Sequence, residues 1–440
     1  MKKLLSLFLV LAMILSLAAC GGADKPAAEA PAEKPADAPA AAPAEKVEED
    51  DGAWSLGVDV IKIGYVGPQT GPSAGMGMSG VEGAQLAVEK INAAGGVGGA
   101  KLELVTRDDE ADPTKSFTYV EELIYKEEIN LLIGAPNSAC TAAALDTITE
   151  NKIIDILCTA TSAAIIDPVK YPYTFRICST NDIQAERLVQ LAKEGGYSKI
   201  VAIGDTSALG IDGFAATKKY AADYGVEIAE YISYTAGDAD LSAVANSIKN
   251  AGADCVLAWS LSGDAAKILK ALDRVGHLSE CEILGYSGFY SMTFPELLGD
   301  LDISNASYLG FNPWAVAPGG EKLGDKSQAY YDEFRDRFGA FKADGSGRAS
   351  TVGDANRVTE AIYLYCAMVE KTQSLDPDLI KAALESDAVN YEVGTYTWEG
   401  GYSFSATDHE GYNADQLCKC LCNENPINDY VDGDCYVAVE

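Results

Sequence analysis

From Val60 onward the chain alternates short apolar runs with amphipathic stretches, and it does so twice. Val60-Ile61-Lys62-Ile63-Gly64-Tyr65-Val66 reads as a buried strand, and the segment from Gly80 sets Val81, Ala84, Val88 and Ile91 on one helical face before Gly95-Gly96 ends it. Strands follow at Leu102 to Val105, Ile129 to Ile133 and Ile153 to Leu157, separated by a helix marked by Phe117, Val120 and Ile124 and by one from about Ser138. After Tyr171-Pro172-Tyr173 the rhythm restarts, with strands at Lys199 to Ile203, Val226 to Tyr234, Cys255 to Ser260 and Glu282 to Tyr286. Helices lie between them near Gly213 to Tyr224, Leu241 to Asn250 and Asp264 to Val275. Strands alternating with helices imply an α/β chain with parallel sheets covered on both faces, here in two lobes. Past Asn305 the pattern changes to long helices near Lys326 to Phe338, Asp354 to Lys371 and Asp376 to Glu385, then short strand-like pieces from Tyr391. A tail that returns to complete both lobes would cross between them more than once and make a hinge.

The first residues belong to export and not to the fold. Lys2 and Lys3 precede an apolar run from Leu4 to Leu15, then Leu17-Ala18-Ala19-Cys20. The run is shorter than the roughly 20 residues a membrane-spanning helix needs, and small residues follow it directly, so residues 1–19 read as a signal peptide. Leu17 to Cys20 resembles the lipobox of bacterial lipoproteins, which implies lipidation of Cys20 and attachment to the membrane through that anchor. Residues 20–52, rich in Ala, Pro and Glu, bury too little apolar surface to fold and read as a tether. The remaining length is long for one core and suits two domains. A net charge of -33 argues against nucleic acid as a partner.

Candidate sites sit at strand ends. Ile133-Gly134-Ala135-Pro136-Asn137 enters a helix at Ser138, where a serine can cap the helix, and where the free N–H groups of the first turn, at Ser138 and Ala139, suit a carboxylate. Cys158-Thr159-Ala160-Thr161-Ser162 places hydroxyls at the end of the neighbouring strand, the edge where open α/β sheets hold ligands. In the second half Trp259-Ser260-Leu261-Ser262 occupies the equivalent place, and Trp259 fits a pocket wall or the core equally.

Enzyme motifs are present on paper. Gly71-Pro72-Ser73-Ala74-Gly75 matches G-x-S-x-G with Asp408-His409 downstream, but loop residues separate it from the strand that a nucleophile elbow requires. Gly75-Met76-Gly77-Met78-Ser79-Gly80 matches G-x-G-x-x-G, but the glycines do not follow the strand directly and the first acidic candidate, Asp108, lies 28 residues past Gly80, farther than the usual spacing of about 20. Only His277 and His409 are present, which leaves little for histidine-based chemistry or metal binding. Of 11 cysteines, ten remain beyond Cys20 without a disulfide framework. Cys418, Cys420 and Cys422 share one strand face with Cys435 on an expected partner strand, and fit either a metal or disulfide site or buried thiols. No cofactor and no metal is expected.

These residues carry a resemblance. Gly67-Pro68-Gln69-Thr70-Gly71-Pro72, Leu86 to Val97, Asp108-Asp109-Glu110-Ala111-Asp112-Pro113, Ile133-Gly134 and Asp408-His409-Glu410-Gly411 resemble the branched-chain amino-acid-type solute-binding proteins of ABC transporters. The resemblance implies a type I periplasmic-binding-protein fold, two doubly wound parallel-sheet lobes joined by a three-segment hinge. Lobe 1 would hold residues 53–176 and about 310–393, lobe 2 residues 177–309 and about 394–440. It further implies that Ser138 and Thr161 hold a ligand carboxylate and that Thr159 offers its backbone carbonyl to an ammonium. In the second lobe the family's acidic residue aligns with Ser287, and its aromatic positions align with Met76, Leu209 and Leu261. Asp205 or Asp212 would then supply the missing counter-charge, or the solute is not a typical α-amino acid. The implied protein is no enzyme but a monomeric, extracytoplasmic binder of a small carboxylate that docks on ABC permease subunits. A sensor feeding a signalling partner shares the fold, and an extracellular hydrolase built on Ser73 is the third class.

Overall fold

The computed structural model describes residues 54–71, 73–289, 294–311, 315–316, 325–339, 352–386, 401–414, 417–422 and 436–437. The signal segment and tether with Cys20, Pro72, the strand-like pieces at 391–400 and Cys435 lie outside them.

Gly52–Glu440 forms one compact unit containing two large sheets and a separate two-stranded one. The first is built from β1 (Val60–Gly67), β2 (Lys101–Asp108), β3 (Leu131–Ile133), β4 (Ile154–Leu157) and β5 (Thr174–Arg176), all parallel, in the order β2-β1-β3-β4-β5. Its connecting helices are α1 (Ala74–Ala93), α2 (Pro113–Tyr125) and α3 (Ser138–Glu150). Alternation sorts the strand residues between two cores, as the period of two requires. Ile61, Ile63, Tyr65, Leu131, Ile133, Ile154 and Ile156 join one cluster with α1, while Val66 and Leu132 face the other with Val120, Leu123 and Ala144 of α2 and α3.

The second sheet has the order β12-β10-β9-β8-β6-β7. The chain enters it through α4 (Asn181–Glu194), β6 (Ile200–Asp205), α5 (Ala208–Tyr224), β7 (Ile228–Tyr234), α6 (Ser242–Ala251), β8 (Cys255–Trp259), α7 (Ser262–Arg274), β9 (Glu282–Gly285), α8 (Phe294–Leu298) and β10 (Ala306–Phe311). A short β11 (Ala315–Val316) comes next. It is followed by α9 (Asp325–Phe338), α10 (Val352–Thr372) and α11 (Pro377–Ser386). Here α10 packs on α1 and α11 on β4, so the chain is back on the first sheet. It then returns to the second, where β12 (Leu417–Leu421) pairs antiparallel with β10, and β13 (Tyr436–Val437) pairs with β11. Crossings therefore fall between Arg176 and Asn181, between Phe311 and Val352, and between Gly411 and Leu417.

Three elements escape the sequence pattern. Helix α4 and strands β5 and β10 show no periodic run, and α1 begins at Ala74, not Gly80. The early start explains the glycines. A Cβ at Gly77 would collide with the Pro68 carbonyl, one at Gly80 with the Tyr65 ring, and one at Gly83 with the Ala355 carbonyl of α10. These glycines let α1 lie close against β1 and α10. The G-x-G-x-x-G match lies within this helix and forms no phosphate-binding turn.

Candidate functional site

In each sheet the order reverses beside the first strand, between β1 and β3 and between β6 and β8. In a doubly wound sheet the crevice at that switch point opens outside the carboxyl ends of the strands. The expected ligand residues lie at these edges, with Met76 on α1 after β1, Ser138 and Ala139 on the first turn of α3 after β3, Thr159 and Thr161 after β4, Leu209 on α5 after β6, Trp259 and Leu261 at the end of β8, and Ser287 after β9.

In the first sheet these loops are pinned by local polar bonds. Asp108 accepts from the N–H groups of Gln69 (2.8 Å) and Thr70 (3.3 Å) and from the Thr70 hydroxyl (2.7 Å), which fixes the loop after β1. Burial pushes its carboxyl up, but the hydroxyl and backbone N–H bonds outweigh this and hold it below the usual carboxylate range. Asp112 caps α2 through the N–H groups of Thr114 and Lys115, with Pro113 at the first helical position.

Ser138 does not cap α3. Asn137 holds the capping position with extended backbone but without a side-chain cap bond, and Ser138 is the first helical residue. Its hydroxyl oxygen instead accepts from the Ser162 N–H (3.2 Å), joining the two loops, and its own proton remains free to donate. Thr159 and Thr161 are half-buried, and neither makes a hydrogen bond among the described residues. Ala139 is exposed beside Ser138, and Met76 is half-buried on the first turn of α1.

In the second sheet Leu261 is 55% exposed, and Leu209 and Ser287 are half-buried. The Ser287 N–H donates to Gln184 Oε1 (2.8 Å). Trp259 is a core residue and not a pocket wall. Its side chain is wholly buried, its ring stacks on Tyr286 (5.4 Å between centroids), and its N–H donates to the Thr217 hydroxyl (2.9 Å). It closes the layer under α5, where only a glycine at 213 fits against it.

A cavity of about 390 Å³ lies between the two sheets, lined by Thr161, Ser162, Thr180, Asn181, Asp182, Asp212 and Lys219 among others. Of the expected ligand contacts only Thr161 reaches it. Asp182 accepts there from the Tyr220 hydroxyl (2.5 Å) and pairs with Lys219 (3.6 Å). Asp212, on the first turns of α5, has neither a hydrogen bond nor an ion pair among the described residues. Asp205 is spent locally on the N–H (2.8 Å) and hydroxyl of Ser207, so of the two acids considered Asp212 is the one left free. Asn181 and Asp182 carry no sequence signal because α4, which they start, is not marked by periodicity, and Lys219 sits on the expected helix α5 without any motif around it.

The hydrolase arrangement fails on geometry. Ser73 sits at the N-terminus of α1, whereas His409 is completely buried against Phe175, with Nδ1 on the Thr174 carbonyl (2.9 Å) and Nε2 on Glu385 (3.0 Å). Both ring nitrogens are thus occupied, so His409 is not available as a base for Ser73. The nine described cysteines are free thiols, eight of them buried, and no cluster of three metal-ligating side chains occurs among the described residues. Cys418 and Cys420 do share a face of β12, with sulfurs 3.3 Å apart.

Two doubly wound sheets in one unit, each with its own switch point, define the periplasmic-binding-protein class of fold. The periplasmic binding protein family model matches residues 60–417, and the chain belongs to that family. Its relatives include the leucine-, isoleucine-, valine-, threonine- and alanine-binding protein of Pseudomonas aeruginosa, 26% identical over 78% of this chain and 86% of that protein. The substrate-binding protein LivJ of a branched-chain amino acid transporter of Streptococcus pneumoniae, solved with isoleucine, has the same fold. Its TM-score is 0.61 at 20% identity, covering 87% of this chain and 99% of that one. A solute-binding protein of an ABC transporter from R. palustris, solved with 4-hydroxybenzoate, aligns at TM-score 0.63 and 21% identity over 87% and 96%. These relatives are named as binding proteins. Among the described residues no helix is long and apolar enough to cross a membrane.

Proposed function

We propose that this chain is the solute-binding component of an ABC importer, holding a small carboxylate between its lobes and delivering it to permease subunits without covalent chemistry. The observation that carries this reading is the pair of joined loops at the ends of β3 and β4. They present the free Ser138 proton, the unbonded Thr159 and Thr161, and the N-terminus of α3 at one strand edge. Two structural neighbours were solved with carboxylates, isoleucine and 4-hydroxybenzoate, which agrees with that chemistry. Met76, Leu209 and Leu261 then form aliphatic rather than aromatic walls, Ser287 leaves the counter-charge position neutral, and Asp212 is the acid that meets any cationic group on the solute. Contacts with both lobes favour the closed form across the three-segment hinge, with lobe boundaries near 176 and 309 and a third between Gly411 and Leu417 in place of the expected 393. The protein acts outside the cytoplasm as a monomer, anchored through Cys20 and its tether.

The test is a thermal-shift screen of the protein against amino acids, aliphatic acids and aromatic acids. A solute at about 100 times its dissociation constant adds about 2.7 kcal/mol. A hit that vanishes in Ser138→Ala and Thr161→Ala supports the reading. A hit that survives both overturns the assignment of the grip.

A further inference from the structure

The loop that carries Thr159 and Thr161 has no regular structure between the end of β4 and the short 3-10 turn at Ala163–Ile165, yet it has to hold two hydroxyls in place at a solvent-facing edge. Two arginines hold it from behind. The Cys158 carbonyl accepts from Arg357 Nε (2.8 Å), and the carbonyls of Ala160 (2.9 Å) and Ser162 (2.8 Å) both accept from Arg176 Nη1. The Cys178 thiol donates to the same Ala160 carbonyl (3.7 Å). Carbonyls 158, 160 and 162 are thus tied back, while Thr159 and Thr161 between them have no hydrogen-bond partner among the described residues.

Arg176 is wholly buried, and the rest of its guanidinium is held by Glu410, with Nε on Oε2 (2.8 Å) and Nη2 on Oε1. Backbone bonds flank the pair, from Arg176 N–H to the His409 carbonyl (2.9 Å) and from Gly411 N–H to the Arg176 carbonyl (2.8 Å). Arg176 ends β5 just before the first crossing, and Glu410 stands just before the third. Arg357 lies on α10, reached after the second.

We propose that Arg176 and Arg357 are positioning residues that clamp the recognition loop, and that the Arg176–Glu410 pair joins this loop to the crossings about which the lobes close. Arginine is required because a planar fork serves a carboxylate on one side and two carbonyls on the other, whereas a lysine ammonium is a single point. The significance of the clamp rests on the solute-binding reading, but the clamp itself can be tested without a solute.

Cys158 and Cys178 are buried inside the clamp and serve as reporters, with Cys255 of β8 and Cys366 of α10 as controls in other parts of the core. The experiment is pulsed alkylation of the full chain by iodoacetamide, without solute, quantified per cysteine by mass spectrometry in Arg176→Lys, Arg357→Lys and Glu410→Gln. Tenfold or faster labelling of Cys158 and Cys178, with the controls within twofold of the parent protein, is the expected result. Should Arg176→Lys fail to fold by circular dichroism, the other two variants decide. Reporters at parental rates in those folded variants, or controls that accelerate in parallel, overturn the proposal, the second because it makes the arginines general braces. A failed solute screen leaves these rates untouched, so the two readings fall separately.

Discussion

Asp155 lies in the middle of β4, opposite Leu132 on one side and Thr174 on the other, with both carboxyl oxygens buried and without a hydrogen bond of normal geometry. Burial pushes its pKa up to about 8, and the nearby Thr174 hydroxyl and Gly134 N–H offset only part of that. The folded protein therefore holds this proton more tightly than the unfolded chain, whose aspartates titrate near 3.9. Stability from this group is full below about pH 4, is lost as pH rises, and levels off above about pH 8. Four units at about 1.36 kcal/mol each set a ceiling of roughly 5 kcal/mol. Asp155→Asn keeps the shape without the charge. Its buried amide carries a cost of its own, but that cost is the same at every pH, so the test is how the difference from the parent changes. About 390 folded residues at roughly 2.1 cal/mol/K each give about 0.8 kcal/mol/K of unfolding entropy. The Tm of Asp155→Asn relative to the parent should accordingly climb by roughly 5 to 7 °C between pH 4.5 and pH 9, read by calorimetry. A Tm difference that does not change with pH would refute the claim that Asp155 is buried as the neutral acid.

Gly83→Ala drives a methyl into the Ala355 carbonyl and should destabilise by about 1–3 kcal/mol in urea unfolding, whereas Gly263→Ala, with open space at its Cβ, should be near neutral. Trp259→Phe leaves the Thr217 hydroxyl unpaired in the core and should cost about 1–3 kcal/mol while leaving solute affinity unchanged; a tenfold loss of affinity at equal folding would restore the ring to the pocket wall. Among the nine described thiols, Cys418 should be the first to react with a thiol reagent at neutral pH. It is half-exposed, and the Cys420 thiol beside it lowers its pKa, whereas burial raises that of Cys420. Mass mapping that finds Cys140 or Cys366 labelled first would contradict the packing.

Periodicity alone revealed two rounds of strand and helix, because a buried parallel strand must be apolar throughout and its covering helix apolar on one face. It failed where neither condition applies. β5 is three residues long and includes Arg176, and α4 starts with Asn181-Asp182 and carries Glu186 and Arg187 on its polar side, so neither stands out as a run. The hydroxyl residues at 138, 159 and 161 were legible as strand-end polar positions, since the edge of such a sheet is where ligands bind. What those hydroxyls face was not. Whether Trp259 fills a core or lines a cleft depends on Gly213 and Tyr286, which lie 46 and 27 residues away in the chain and meet it only after folding. The choice between Asp205 and Asp212 turned on a two-residue contact with Ser207 that composition does not encode. Arg176 shows the division most plainly. The sequence marks a charge in an apolar strand, but its partners come from residues 160, 162 and 410, and a hydrogen bond exists only where the chain's path brings donor and acceptor within about 3 Å. Local pattern thus determined the layers and their edges, and tertiary structure decided which polar groups on those edges are spent on each other and which have no partner among the described residues.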